Sequence, residues 1–228
     1  MMTTPQVLFG RSGHTYEVSG RNIKSVTSIM RDEGAGFGWS KDNNGAIFGT
    51  VFHEVMKIRL LDEKWRANEE YRKPYREDDE GNEVSLSNDV EWFFDDESCK
   101  DWIAAIDKFI RDQQPKHQFL EHIVYSERYG FAGTLDFFGS IKKYGDELVL
   151  IDWKTWANPT PPLVAMSGLQ TAAYEMALRQ QEDIHWRIRR LAVHFSPNMY
   201  KILPLNNPAD FPAFQSCMNW NRWKEQNL

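Results

Sequence analysis

An α/β fold, with a mixed central β-sheet flanked by helices, is what the order of periodic segments in this chain predicts. Two strand-like runs, Thr134–Phe138 and Leu148–Lys154, flank the turn residues Tyr144, Gly145 and Asp146 and read as a hairpin. Apolar segments of helical length stand before and after them, at 46–61 and 164–181. Two further strands at 186–196 and 200–205, then a closing helix over 208–225, complete an order of helix, strands, helix, strands, helix.

Each element has its own warrant. Residues 46–61, AIFGTVFHEVMKIRLL, are apolar enough for a largely buried helix, with Gly49 and His53 one turn apart on one face. Glycine inside a helix costs about 0.5–1 kcal/mol relative to alanine, so Gly49 signals close approach of a backbone or ligand. Between Pro74 and Asp101, eleven acidic residues stand against Arg76 and Lys100, a local balance of −9 in a chain of net charge −6, which leaves +3 elsewhere. That stretch opens polar and without periodicity, and predicts a long loop or acidic insertion at about 70–97. A solvated linker and a DNA-mimicking gate are both open roles for it. Along Leu148–Lys154 side chains alternate, so Asp152 and Lys154 share one face while Ile151, Trp153 and Thr155 take the other. The helix at 164–181 follows a Pro-rich turn and presents Leu169, Ala172, Ala173, Met176 and Ala177 to a core, with Gln170 and Tyr174 one turn apart.

A hydrophobic content of 41% and a charged content of 26% fit a globular enzyme, read as a single domain over 1–228. No apolar run approaches the roughly 18 residues of a membrane span, and the N-terminus has no signal-peptide pattern, so no membrane partner and a cytoplasmic location are expected. Cys99 and Cys217 stand alone, which excludes a four-thiolate iron–sulfur cluster and predicts no disulfide. No Gly-rich phosphate loop is present, so no nucleotide cofactor is expected and any unwinding would come from a partner helicase.

Asp136 and Asp152, on neighbouring strands, offer hard carboxylate oxygens to a divalent cation, which would keep open positions for water and a substrate phosphate. A lysine two residues from a ligating aspartate supplies a mobile point charge to orient that water or to stabilise a crowded phosphate. Taken alone, Asp152 and Lys154 describe equally a surface pair worth about 0–1 kcal/mol. His53 taken alone describes a satisfied core histidine.

The four motifs together, Gly49-Thr50-Val51-Phe52-His53, Gly133-Thr134-Leu135-Asp136, Ile151-Asp152-Trp153-Lys154-Thr155 and Gln170 with Tyr174, occur in the order of the RecB-like branch of the PD-(D/E)XK nuclease superfamily, which the chain resembles over residues 46–178. Residues 16–29 are similar to the opening of phage members and of the mitochondrial single-strand exonuclease type. The resemblance implies a restriction-endonuclease-like core. It implies His53, Asp136 and Asp152 as metal ligands, with the carbonyl of Trp153 as a further one, and Lys154 as the catalytic lysine beside Asp136 and Asp152. Glu121, within the apolar run 119–124, matches an acidic position on the preceding strand. Gln170, Tyr174, Thr155 and Glu121 are expected to line the substrate side. Mg²⁺ or Mn²⁺ is the expected cofactor, the imidazole favouring manganese over calcium.

The function so implied is a metal-dependent DNA exonuclease acting preferentially on single-stranded ends in phage or bacterial recombination, replication or repair. A recombinase, a single-strand binding protein or a helicase would be its partners. A structure-specific endonuclease, and a catalytically silent DNA-binding or inhibitory module, are the alternatives. Lys142, Lys143, Arg179, Arg187, Arg189, Arg190, Lys201, Arg222 and Lys224 are available to follow a phosphate backbone, and Trp156 to stack on an unpaired base.

Overall fold

The computed structural model describes residues 7–9, 16–32, 43–61, 75–77, 83–85 and 87–228. Strands β1 (Val7–Phe9), β2 (Tyr16–Val18) and β3 (Arg21–Ser25) form an antiparallel meander that runs into helix α1 (Val26–Asp32). Helix α2 (Asn43–Leu60) follows, then the small hairpin β4 (Tyr75–Glu77) and β5 (Glu83–Ser85), and helices α3 (Ser87–Asp95) and α4 (Lys100–Gln113). The centre of the molecule is built from β6 (Lys116–Ser126), β7 (Phe131–Ser140), β8 (Leu148–Lys154) and helix α5 (Pro161–Glu182). Strands β9 (Ile188–Ser196) and β10 (Met199–Pro204) and helix α6 (Asp210–Asn227) close the chain.

The main sheet runs β1-β2-β3-β7-β8-β9-β10, with β6 paired to β7 off this path. It is mixed: β3 with β7 and β8 with β9 are parallel, and the other pairs are antiparallel. Strand β7 organises it. One edge of β7 is covered by β6 along nearly its whole length. The other edge is shared, because Phe131 and Ala132 pair with Lys24 and Ser25 of β3 while Phe137 to Gly139 pair with Ile151 to Val149 of β8. Among the described residues no strand pairs with 133–136 on that edge, and this gap is where the expected site residues lie.

Two apolar layers sandwich the sheet. Phe137, Val149, Ile151 and Trp153 join Phe52 of α2, Phe93 of α3 and Phe109 of α4 in one core. Phe138 and Leu150 join Ile29 of α1, Ala173 and Leu178 of α5 and Phe214 of α6 in the other. The alternation along β8 therefore separates Ile151 and Trp153 from Asp152 and Lys154, as period two requires.

The acidic stretch expected as a loop is helical in its second part. Val90 and Phe93 are fully buried, with Phe94 packed against the same core, so an apolar stripe at helical spacing outweighs the charges around it. Asp89 in the first turn of α3 also suits the positive end of the helix dipole. Helix α4 was not expected at all, although Ala105, Ile106 and Phe109 give it a regular buried stripe. Residues 70–74, 78–82 and 86 of the expected insertion lie outside the described residues.

Candidate metal centre and active site

The fork between β7 and β8 makes the site. Beyond the Phe137–Ile151 pair the strands part, and Asp136 Oδ2 accepts the N–H of Trp153 at 2.7 Å in place of a backbone carbonyl. A buried N–H left without a partner costs about 1–3 kcal/mol, so the carboxylate ends the ladder and is oriented by it. The Trp153 ring is held at centroid distances of 5.4 Å from Phe109, 5.7 Å from Phe137 and 6.0 Å from Phe195. Such aromatic pairs add about 0.5–1.5 kcal/mol each to burial. With the side chain fixed in the core, the Trp153 carbonyl points out of the fork, 3.2 Å from His53 Nε2.

Helix α2 delivers His53 because Val51, Phe52, Val55 and Met56 anchor its inner side in the core. His53 Nδ1 lies 3.5 Å from Asp136 Oδ1 and 3.7 Å from Glu121 Oε1. One ligand atom from each of His53, Glu121 and Asp136 falls within 4.8 Å of the others. Glu121 comes from β6, where its φ of 44° puts a non-glycine residue in the left-handed region. Such backbone strain costs of order 1–3 kcal/mol and concentrates at functional sites.

The electrostatics follow from crowding of acids. Burial disfavours the imidazolium of His53, but Asp136 and then Glu121 outweigh it and raise the pKa to about 9. Burial pushes Asp136 up to about 7, with Glu121 and Asp152 adding to the shift and His53 and Lys154 opposing it. Asp152 is buried, its Oδ1 lies 2.8 Å from Lys154 Nζ, and its Oδ2 has no hydrogen-bond partner among the described residues. Lys154 also donates to Gln170 Oε1 at 3.3 Å, and Gln170 Nε2 donates to the Tyr174 hydroxyl at 3.0 Å.

The expected residues are thus drawn to one place from α2, β6, β7, β8 and α5, but not all in the expected manner. Glu121, assigned to the substrate side, stands with His53 and Asp136. Tyr174 is buried, with only its hydroxyl turned to Gln170. A Cβ on Gly49 would meet only Thr155 Oγ1 at 3.8 Å, an ordinary contact, so no described group makes the close approach that its glycine suggested. Trp156 lies against His194, with ring centroids 6.2 Å apart, and its carbonyl is 2.6 Å from His194 Nε2.

Four of the nine basic residues put forward for a phosphate track make contacts within the fold. Arg189 forks onto Glu147 at 2.9 and 3.0 Å and lies over the Tyr144 ring. Arg179 binds Glu175 and the carbonyls of Ile184 and Trp186, Arg222 donates to the Tyr129 carbonyl, and Arg190 bridges Glu175 and Asp210. Sequence reasoning gave Tyr16 no role, yet it is buried with its hydroxyl 3.0 Å from Thr134 Oγ1, two residues before Asp136 on the same face of β7. A tyrosine in a short strand carries no signal of that by itself.

A sequence model of the PD-(D/E)XK nuclease superfamily matches residues 31–217. The chain belongs to this superfamily. No curated protein matches it. As a PD-(D/E)XK nuclease the protein is a metal-dependent enzyme of nucleic-acid cleavage, and the mixed sheet flanked by helices is consistent with the restriction-endonuclease-like fold. No helix among the described residues is long and apolar enough to cross a membrane.

The residues at the fork fit the divalent cation that this nuclease family uses. His53 Nδ1 and the carboxylates of Glu121 and Asp136 offer a nitrogen and hard oxygens within 4.8 Å of one another, a donor set that suits such an ion. Asp152 Oδ2 is a buried carboxylate oxygen without a hydrogen bond among the described residues, and Asp136 is a carboxylate whose charge burial opposes. Both leave negative charge that a bound cation would offset.

Proposed function

We propose that this nuclease is a DNA exonuclease that hydrolyses phosphodiester bonds from single-stranded ends with Mg²⁺ or Mn²⁺, in recombination, replication or repair. The observation that carries the reading is the convergence of His53, Glu121, Asp136, Asp152 and Lys154 on the β7–β8 fork. The preference for an exonuclease is supported by the four motifs in RecB-like order, above all by the GxxxH helix that delivers His53.

His53, Glu121, Asp136, Asp152 and the Trp153 carbonyl would hold the metal, with Glu121 reassigned from the substrate side to this shell. When bound, the metal lowers the pKa of a coordinated water and offsets charge on the phosphate. Lys154 keeps its ammonium at the rim of the acid cluster, 20% exposed, where it can orient a water or face a phosphate oxygen. Asp152 restrains that ammonium through the 2.8 Å contact. The Trp153 ring is buried in the layer below, and Thr155, just after β8, would meet the scissile strand.

The test is digestion of end-labelled linear and circular DNA, single-stranded and duplex, with Mg²⁺, Mn²⁺ or EDTA, by wild type and Lys154→Ala. Loss of linear single strands alone, dependent on metal and absent in the variant, is the expected result. Circular single strands cut as fast as linear ones would make the enzyme an endonuclease. Tight DNA binding with no metal-dependent turnover on any substrate would make it a binding module.

A further inference from the structure

We propose that Gln170 is a positioning residue for the Lys154 amine, locked in place by Tyr174, and not a contact to the nucleic acid. The proposal rests on the reading of Lys154 as the catalytic lysine. A lysine side chain has many rotamers, and one partner does not fix it. Here two acceptors do, Asp152 Oδ1 at 2.8 Å and Gln170 Oε1 at 3.3 Å, which leaves one N–H direction for a water or a phosphate oxygen.

Gln170 can serve this purpose only if its amide is held one way round. An ammonium has no acceptor, so the Gln170 oxygen must face Lys154, and the Gln170 N–H then needs an acceptor on its other side. The Tyr174 hydroxyl, 3.0 Å away and one helical turn on, is that acceptor. Tyr174 is itself immobile. It is 4% exposed, and a Cβ on Gly133 would come within 2.3 Å of its ring, so the ring lies directly on the bare backbone of β7 three residues before Asp136. A side chain so covered has no surface to offer a nucleic acid.

The backbone of α5 is pinned on both sides of this pair. Arg190 donates to the Gly168 carbonyl at 2.7 Å and pairs with Glu175 at 3.2 Å, which brackets residues 170 and 174. Gly133, Tyr174, Gln170 and Lys154 therefore form one rigid line from the strand bearing Asp136 to the strand bearing Asp152. Misplacing a reacting group by about 1 Å costs roughly 100-fold in rate, which sets the scale of what this line protects.

The test compares Gln170→Ala, Gln170→Glu, Tyr174→Phe and Lys154→Ala for kcat and KM on end-labelled single-stranded DNA with Mn²⁺, and for DNA affinity in EDTA, with thermal melting as the check on folding. Gln170→Ala should lower kcat about 10- to 100-fold while KM and affinity stay within about twofold. Gln170→Glu keeps an acceptor for the ammonium and should recover most of the rate, and Tyr174→Phe should lower kcat a few-fold. A tenfold rise in KM or in the dissociation constant at unchanged kcat would make Gln170 a substrate contact and overturn the proposal, as would wild-type kcat in Gln170→Ala or a Gln170→Glu as slow as the alanine. Should Gln170→Ala fail to fold, Gln170→Glu and Tyr174→Phe carry the same decision. Wild-type turnover by Lys154→Ala would instead overturn the reading of the site.

Discussion

Helix α5 borders two clusters of partly or wholly buried charge, and they are built differently. Around Arg190, one guanidinium meets Asp210 at 3.0 Å and Glu175 at 3.2 Å, and the carbonyls of Gly168 and Asn207 at 2.7 and 3.3 Å take further N–H groups. Gly168 makes room for this, since a Cβ there would sit 2.8 Å from Asp210 Oδ2. Burial still lifts the Asp210 pKa, against the pull of Arg190. At the β7–β8 fork, Glu121, Asp136 and Asp152 face Lys154 and an imidazole that is charged only when protonated. Among the described residues Asp152 Oδ2 goes without a hydrogen bond, as does Asp210 Oδ2 in the first cluster, so the count of charges and not this feature separates the two. The first cluster balances Glu175 and Asp210 with Arg190 and Arg179, whereas the second sets three carboxylates against Lys154 and a histidine, an excess of acid that a bound cation would offset. Buried charge of the first kind holds a fold together, and buried charge of the second kind describes a site.

The contrast can be broken most sharply at Asp152. Asp152→Ala should reduce metal-dependent cleavage by about 1,000-fold or more, about 4 kcal/mol of barrier, without lowering the melting temperature in EDTA. Arg190→Ala should do the reverse in kind, costing about 3–5 kcal/mol in urea unfolding because Asp210 is left buried without its guanidinium, while Glu175 keeps Arg179. If both variants lost stability alike, the two clusters would be one structural class.

Metal should act on one cluster alone. Mn²⁺ at about 100 times its dissociation constant should stabilise wild type by about 2.7 kcal/mol in thermal melts. Asp136→Asn, which keeps an acceptor for the Trp153 N–H, should lose most of that shift. The pH dependence has a definite sign. The pKa of Asp136 is raised from 3.8 to about 7 and that of His53 from 6.5 to about 9, so both bind protons more tightly in the folded state. Their contribution to metal-free stability is full below 3.8 and 6.5 respectively and is lost as pH rises through about 7 and about 9. Metal must displace those protons, so its affinity should climb over the same window, with proton release visible as buffer-dependent heat in titration calorimetry. The smallest effect is expected at an exposed pair, where Arg59→Ala, which frees Asp107, should change unfolding stability by only about 0–1 kcal/mol.

Much of this was legible along the chain. The strands bearing Asp136 and Asp152, the helix bearing His53 and the helix bearing Gln170 all lie close to where periodicity predicts them. The acidic stretch misled because its charge hides a short apolar stripe, Val90, Phe93 and Phe94, whose worth depends on the core it meets. The stripe of α4 was there to be read. The arginines misled for a different reason. A guanidinium looks the same in a sequence whether it faces a phosphate or a neighbouring carboxylate, and Arg189 and Arg190 face carboxylates.

The sequence by itself determined which residues share a face, because the periods of helix and strand are local properties of the backbone. Period two alone puts Asp152 and Lys154 on one side of β8 and Trp153 on the other. Only the tertiary structure decided that β7 and β8 part at Asp136, that a strained Glu121 from β6 joins His53, and that Tyr174 seals against Gly133. Those contacts span up to about a hundred residues of chain, as between His53 and Trp153, and depend on which strand edges meet and how tightly helices pack on them.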